Sequence, residues 1–243
     1  MSDLTESGTS GGTGGARRSR LSGGGAEARR AARGGKSQTQ LTYIKRQIPL
    51  YEVLYEEGMA LIEHNAATVL QETGIDFRDD AEAIQIWKDA GADVRGERVR
   101  LPRGMARELI KSAPGIFTHH ARNPERSVLI GGVATVFAPV YGPPFVSDLD
   151  GGRRYASIED LRNFVKLAYS ASSIHHSGGT VCEPVDIPVA KRHLDMVYSH
   201  IRYSDKPFMG SVTAPERAED SIAMAKLVFG EEFVEQNCVM INL

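Results

Sequence analysis

Apolar residues recur at helical spacing over residues 50–73, at Leu54, Leu61, Ile62, Val69 and Leu70, and Gly74 follows where a helix C′ residue belongs. A second helix is predicted over 80–90, with Ile84 and Trp87 inward and Gly91 closing it. The run VRGERVRL at 94–101 reads as a short hairpin. Pro102 opens a third helix that ends before Pro114. The pattern then changes. Between 116 and 156 the chain shows short β-prone runs (FTHH, SVLIGG, ATVFAP, PFVSDL) separated by Asn-Pro, Gly-Gly and Gly-Pro-Pro, with a turn at Asp150-Gly151-Gly152. These predict a small, mostly antiparallel sheet packed on the N-terminal helices.

From Ser157 the pattern becomes repetitive. Ser157-Ile158-Glu159-Asp160 has the spacing of a capping box, and the helix after it carries Leu161, Phe164, Val165, Leu167 and Ala168. Candidate strands start near Ile174, Pro207 and Cys238, 33 and 31 residues apart. Helices are predicted between them at Val189–Tyr203 and Pro215–Phe229. Thr213 is the candidate N-cap of the second, with Pro215 in its first turn, Glu216 three residues after the cap and Gly230 at its end. Strand–helix alternation of about 30 residues per unit predicts a parallel sheet with right-handed crossovers.

Two closures satisfy that alternation. A doubly wound sheet expects a Gly-rich turn after its first strand, but Gly178-Gly179 is not G-x-G-x-x-G and no helix follows at once. A (β/α)8 barrel places its chemistry at the C-terminal strand ends, where the polar residues fall here, and needs about 250 residues. Only about the last 86 residues belong to the repeating part, so the barrel reading holds only the first units and is truncated.

Composition narrows the function classes. The chain has 243 residues, 41% hydrophobic and 25% charged, which is globular composition. A net charge of −2 offers nothing to nucleic acid or to a membrane surface. There is no apolar run of about 18 residues and no signal-peptide pattern, and the two cysteines make no disulfide framework, so a cytoplasmic protein is expected. Residues 1–40 are rich in Gly, Ser and Arg and are expected to be a disordered, solvated tail. The expected organisation is that tail, a helical and small-sheet region over 41–157, and the first βα units over 158–243.

The segments YGPPFVSDLDGGRRYASIEDLRNFVKLA, IHHSGGTVCEPVDIPVAKRHLDMVYSHIRYSDKPFMGSVTAPERAED and NCVMINL resemble the trimethylamine methyltransferase family, and GADVRGERVRLP fits it too. The resemblance runs from about Leu41 to Leu243. It implies an α/β fold, an N-terminal α+β cap region followed by the first part of a TIM (β/α)8 barrel. It also implies transfer of a methyl group from a methylated amine to the cobalt of a corrinoid protein. No cofactor is bound directly: the corrinoid is carried by a partner protein, and a homo-oligomer is expected. One branch of the family contains pyrrolysine and uses trimethylamine; the other lacks it and uses glycine betaine or other quaternary amines. This chain is more similar to the second. The pyrrolysine position lies past Leu243.

Such chemistry sets clear demands. A quaternary ammonium leaves as a neutral amine and needs no proton, so its charge disappears in the transition state. Strong ion pairing would favour the ground state and slow the step. Aromatic faces and small dipoles suit the cation better, and a betaine carboxylate calls for Arg or backbone N–H groups. The candidates at the strand ends are Thr180 and Glu183 on the first, with Gly179 beside them; Ser211 on the second, with Thr213; and Asn242 on the third. Tyr141 and Phe145 lie in the loop before the repeats. Catalytic residues are expected beyond Leu243. Each candidate has a plainer reading: Thr213 as a cap, Glu183 as a solvated carboxylate, Tyr141 and Phe145 as packing, Gly178-Gly179 as backbone geometry.

Zinc is the rival chemistry, because His175, His176, Cys182 and His193 fall within 19 residues. On a strand the two histidines point oppositely at its start and Cys182 lies about 20 Å away at its far end, so no metal site is expected. His193 and His200 are expected to face solvent from one helix face, and His119-His120 to lie at the surface. Two alternatives to methyl transfer stay open: a homologue that binds a quaternary amine without transferring its methyl, and an inactive fragment with exposed sheet edges.

Overall fold

The structure is a computed structural model, and it describes residues 41–241. The tail 1–40 and Asn242 fall outside the described residues. The elements, in chain order, are β1 Ile44–Lys45, α1 Glu56–Thr68 with a π-helical extension Val69–Thr73, β2 Ile75–Asp76, α2 Ala81–Asp89, β3 Asp93–Arg95, β4 Arg98–Arg100 and α3 Met105–Ile110. Then come β5 Ile116–His119, β6 Val128–Gly131, β7 Ala134–Thr135, β8 Phe145–Asp148 and β9 Gly152–Tyr155. The last part holds α4 Ile158–Ser170, α5 Val189–Tyr203, β10 Phe208–Met209, α6 Pro215–Phe229, α7 Glu231–Gln236 and β11 Met240–Ile241.

The fold is mixed α/β with small sheets, and no closed barrel is formed among the described residues. The hairpin read at 94–101 is β3–β4, widened to three strands by β2 pairing Ile75 with Val99. The single sheet expected over 116–156 is instead divided. β5 pairs with β6, β7 with β1, and β8 with β9, all antiparallel. Gly131 and Gly132, both at positive φ, turn the chain out of the first ladder. The prolines Pro139, Pro143 and Pro144 then remove the donors a continued ladder needs. Helix α1 has no buried residue; Leu61, Ile62 and Val69 remain exposed.

α4 begins as its sequence dictates. Ser157 Oγ accepts from Asp160 N (3.3 Å), and Asp160 accepts in return from Ser157 N (2.8 Å). Asp160 also takes both guanidinium nitrogens of Arg154 (2.6 and 2.8 Å), which holds its carboxyl well below the usual range. The buried face of α4 (Leu161, Val165, Ala168) packs with α5 around a core that includes Val146, Val181, Cys182 and Met196.

The repeating part is parallel where it pairs: Phe208 is opposite Met240 and Met209 opposite Ile241. The first expected strand, from Ile174, is not a regular strand. It still bonds to the chain around β10, through Ser177 N to Pro207 O and Met209 N to Gly178 O (2.8 Å each). Gly178, at φ +87°, breaks the extended run. α5 and α6 have the boundaries read from sequence. Thr213 is not the cap of α6: Ala214 holds that position, and the Thr213 hydroxyl is bonded to Arg217. A further helix, α7, follows Gly230 directly.

Candidate functional site

Residues 137–143 run beside residues 175–183. His175 N and His176 N donate to Phe137 O (2.9 and 3.2 Å), Gly142 N donates to Thr180 O (2.7 Å), and Glu183 N donates to Pro143 O (3.0 Å). This brings Tyr141 to the end of the first parallel segment. A Cβ placed on Gly179 would lie 2.9 Å from Tyr141 Cε2, 2.7 Å from Met209 Cβ and 3.3 Å from the Gly210 carbonyl oxygen. Only glycine lets the aromatic ring and the second strand approach together there. Tyr141, Gly179, Thr180 and Gly210 therefore meet at the ends of two neighbouring segments, with Ser211 next along the chain and half-buried. Thr180 is buried.

The other two candidates have partners of their own. Glu183 is ion-paired with Arg192 of α5, whose guanidinium also reaches Ile187 O (3.4 Å). Phe145 packs on Tyr155 (centroids 4.6 Å apart), and the Arg153 guanidinium lies 3.7 Å over its ring. Phe145 also lines a cavity of about 230 Å³ with Pro139, Val140, Pro143, Val181 and Cys182.

Behind the strand ends lies a set of buried histidines. Gly178 N donates to His176 Nδ1 (2.9 Å), so the proton of a neutral His176 is on Nε2 and points to His119 Nδ1, 3.2 Å away. His200 Nε2 is 2.8 Å from the Gly179 carbonyl, which can only accept; Nδ1 therefore accepts from the Ser177 hydroxyl at 2.7 Å. His175 Nδ1 accepts from Phe137 N (2.8 Å). Burial pushes His119 and His200 down to about 4. The Val239 backbone opposes this for His119, and the Gly179 backbone for His200. Burial, with His119 and His200 beside it, pushes His176 lower still. Burial, then the Lys206 charge, lowers His175. Neutral rings locked by backbone partners are suited to holding the strand ends in place.

These positions correct three expectations. His119 and His200 are buried rather than at the surface. So is His193, whose Nε2 meets Asp220 of α6 at 2.9 Å. The sequence carried a usable signal, since His193, Met196, Val197 and His200 follow the i, i+3, i+4, i+7 pattern of one buried face. Cys182 lies in the α4–α5 core, and burial pushes its thiol up to about 12. Among the described residues no three His, Cys, Asp or Glu side chains converge as a metal site.

Lys206 went unnoticed in the sequence. Its side chain is 1% exposed, and Nζ donates to the carbonyls of Ala168 (2.7 Å), Ala171 (2.9 Å) and Ile174 (2.7 Å). It closes the C-terminal end of α4, where a positive charge is favoured, and ties that end to the first parallel segment. Burial brings its ammonium down to about 8.

Parallel strand ends overlaid by an aromatic-bearing loop are the layout in which α/β enzymes carry small-molecule sites. A family model described as trimethylamine methyltransferase (MTTB) matches residues 22–243, and the chain belongs to that family. It is 45% identical over 197 residues to a glycine betaine methyltransferase of Desulfitobacterium hafniense (strain Y51), covering 81% of this chain and 41% of that protein. It is 27% identical over 158 residues to a proline betaine:corrinoid methyltransferase of Eubacterium limosum, covering 63% of this chain and 31% of that one. A trimethylamine methyltransferase of Desulfitobacterium hafniense (strain DSM 10664 / DCB-2) is 29% identical over 79 residues, 32% of this chain and 16% of that one. The chain thus spans about two-fifths or less of the curated relatives it matches. Among the described residues no helix is long and apolar enough to cross a membrane.

Proposed function

We propose that this protein takes part in methyl transfer from a quaternary amine of the betaine type to the cobalt of a corrinoid carried by a partner protein. In this reading residues 158–243 contribute the first units of a (β/α)8 barrel, and 41–157 form its cap. The observation that carries it is the Tyr141 ring seated at Gly179 between two parallel segment ends. The identity to a protein named glycine betaine methyltransferase favours betaine over trimethylamine.

The arrangement suits a cation that must lose its charge. Tyr141 offers an aromatic ring, whose moderate attraction for a cation stabilises the ground state less than an ion pair would and so loses less as the charge fades. Thr180 and Ser211 offer small dipoles, and Asn242, outside the described residues, is a candidate from the sequence alone. Glu183, the carboxylate among the candidates, is engaged by Arg192 and so is not a free counter-ion for the ground state. Phe145, held by Arg153 and Tyr155, acts as the second wall of the loop that carries Tyr141. The partner's corrinoid supplies the nucleophilic cobalt; the residues here bind and orient the amine. A homo-oligomer in the cytoplasm completes this reading.

The test incubates the full-length protein with its reduced corrinoid protein and glycine betaine, proline betaine or trimethylamine, and follows methyl-cobalt formation by absorbance. Betaine is expected to methylate the corrinoid, and Tyr141→Ala to raise the betaine KM about tenfold, the order of a lost cation–π contact. Betaine binding without methyl-cobalt would select the binding-only homologue. No binding and no transfer with any of the three amines would refute the proposal.

A further inference from the structure

Gly178 and Gly179 carry no side chains to anchor them, and glycine is the residue with the widest choice of backbone conformations. Their place is set through the backbone instead. Gly178 N donates to His176 Nδ1 (2.9 Å), and Gly178 O accepts from Met209 N (2.8 Å). Gly179 O accepts twice, from Val181 N (2.8 Å) and from His200 Nε2 (2.8 Å). The His200 bond alone ties Gly179 to a helix, α5. The His200 ring is held at three points. Nε2 meets Gly179 O, Nδ1 lies 2.7 Å from Ser177 Oγ, and the ring face lies parallel to Phe208 of β10, with centroids 6.0 Å apart and 4° between the planes. A carbonyl can only accept, so the ring proton is on Nε2 and the Ser177 hydroxyl donates to Nδ1. One buried imidazole thus joins α5 to both parallel segments, at the residue on which the Tyr141 ring is seated.

We infer that His200 is a positioning residue for the amine site: in the Nε2–H form set by Ser177, it holds Gly179 where Tyr141 can meet the ammonium. This rests on the methyl-transfer reading and on Tyr141 as its cation contact. The fit leaves little slack. A Cβ on Gly179 would lie 2.9 Å from Tyr141 Cε2 and 2.7 Å from Met209 Cβ, so a shift of the Gly179 backbone towards either one must move it. Leucine in place of His200 leaves Gly179 O its bond from Val181 N, so that carbonyl is not orphaned. What disappears is the tether to α5 and the acceptor of the Ser177 hydroxyl. His200 reaches the substrate only through Gly179 and Tyr141.

The test measures kcat and KM for methyl transfer from glycine betaine by the full-length protein with its reduced corrinoid protein. His200→Leu is expected to raise KM about fivefold, short of the roughly tenfold set by loss of the Tyr141 contact itself. Its kcat should not fall, because the lost contact is stronger in the ground state than in the transition state. His200→Gln, whose amide can donate to Gly179 O and accept from Ser177, should restore most of the affinity. Ser177→Ala should give an intermediate rise, and the ring 15N shifts of His200 should show the Nε2–H form in wild type and a mixture of tautomers in that variant. In a Tyr141→Ala background His200→Leu should add nothing, since its effect passes through that ring. An unchanged KM in His200→Leu, or a rise that persists undiminished in the Tyr141→Ala background, overturns the inference while leaving the methyl transfer standing. A glutamine variant no better than leucine overturns it too. A wild type that neither binds glycine betaine nor transfers its methyl defeats the functional reading itself, and the inference with it.

Discussion

Replacing Lys206 with methionine keeps the length of the side chain and removes its charge. The structure sets two effects against each other. The ammonium is 1% exposed, and taking such an ion out of water costs several kcal/mol. Against that stand three short charge-assisted bonds, at 2.7, 2.9 and 2.7 Å, to carbonyls at the end of α4. Ala171 O keeps a second donor in the variant, the Ile174 amide at 3.2 Å, so the loss falls chiefly on the Ala168 and Ile174 carbonyls. A buried acceptor left without its donor costs roughly 1–3 kcal/mol, which gives about 2–6 kcal/mol for two. The favourable charge at the helix end adds up to about 1 kcal/mol. After the relief of desolvation, a net loss of about 2–3 kcal/mol is expected for Lys206→Met. In urea, with a slope of about 2 kcal/mol per molar, that moves the midpoint of unfolding down by about 1–1.5 M. Circular dichroism of the full chain at pH 7 reads it. A midpoint equal to or above wild type would refute the reasoning, because it would mean that desolvation outweighs the three carbonyls. The pH dependence gives a second reading. Burial is the main cause, with Arg126 assisting and Asp205 opposing, that brings the ammonium from 10.5 to about 8. The folded chain then binds fewer protons than the unfolded chain between those values, so wild-type stability should rise with pH across 8 to 10.5, and this contribution should vanish in Lys206→Met.

Other consequences are equally direct. His119 and His200 fall from 6.5 to about 4, so their contribution to stability is fully present above pH 6.5 and lost as pH drops towards 4; urea midpoints between pH 7 and 4.5 should decline, and His200→Leu should flatten the decline. Gly179→Ala should displace the Tyr141 ring, since its Cβ would meet ring carbon at 2.9 Å and Met209 at 2.7 Å; betaine affinity, measured calorimetrically on the full-length protein, is expected to drop about tenfold, the order of a lost cation–π contact, and unchanged affinity would count against Tyr141 as a substrate contact. Cys182, fully buried with its thiol pushed up to about 12, should resist Ellman's reagent at pH 8 until the chain is denatured, whereas half-buried Cys238 reacts earlier.

Local chemistry was legible where one short segment decides the outcome. Ser157 and Asp160 lie three residues apart and cap each other, so α4 could be read directly. The bounds of α5 and α6 follow from their apolar period and from Pro215. What escaped depends on partners remote in sequence. His176 meets His119 across 57 residues, and Lys206 reaches carbonyls 32 to 38 residues upstream. A lysine or a histidine gives no local sign that a backbone carbonyl waits for it elsewhere in the fold. Thr213 is a different, local case: Ala214 holds the cap position, and the Thr213 hydroxyl is taken by Arg217 four residues on. At the candidate site, Tyr141 and Thr180 were named from sequence, but the reason they adjoin, the missing side chain of Gly179, became visible only in three dimensions.

The backbone bonds between 137–143 and 175–183 bear on how the chain can be divided. Phe137 and Pro143 lend their carbonyls to the segment that begins the repeating half, and Thr180 returns one to Gly142. A cut near Ser157 would strip paired backbone from both pieces and unseat Tyr141. The two halves are therefore not interchangeable modules. Grafting a relative's repeating half onto this front half should succeed only if the donor segment brings a glycine at the position of Gly179.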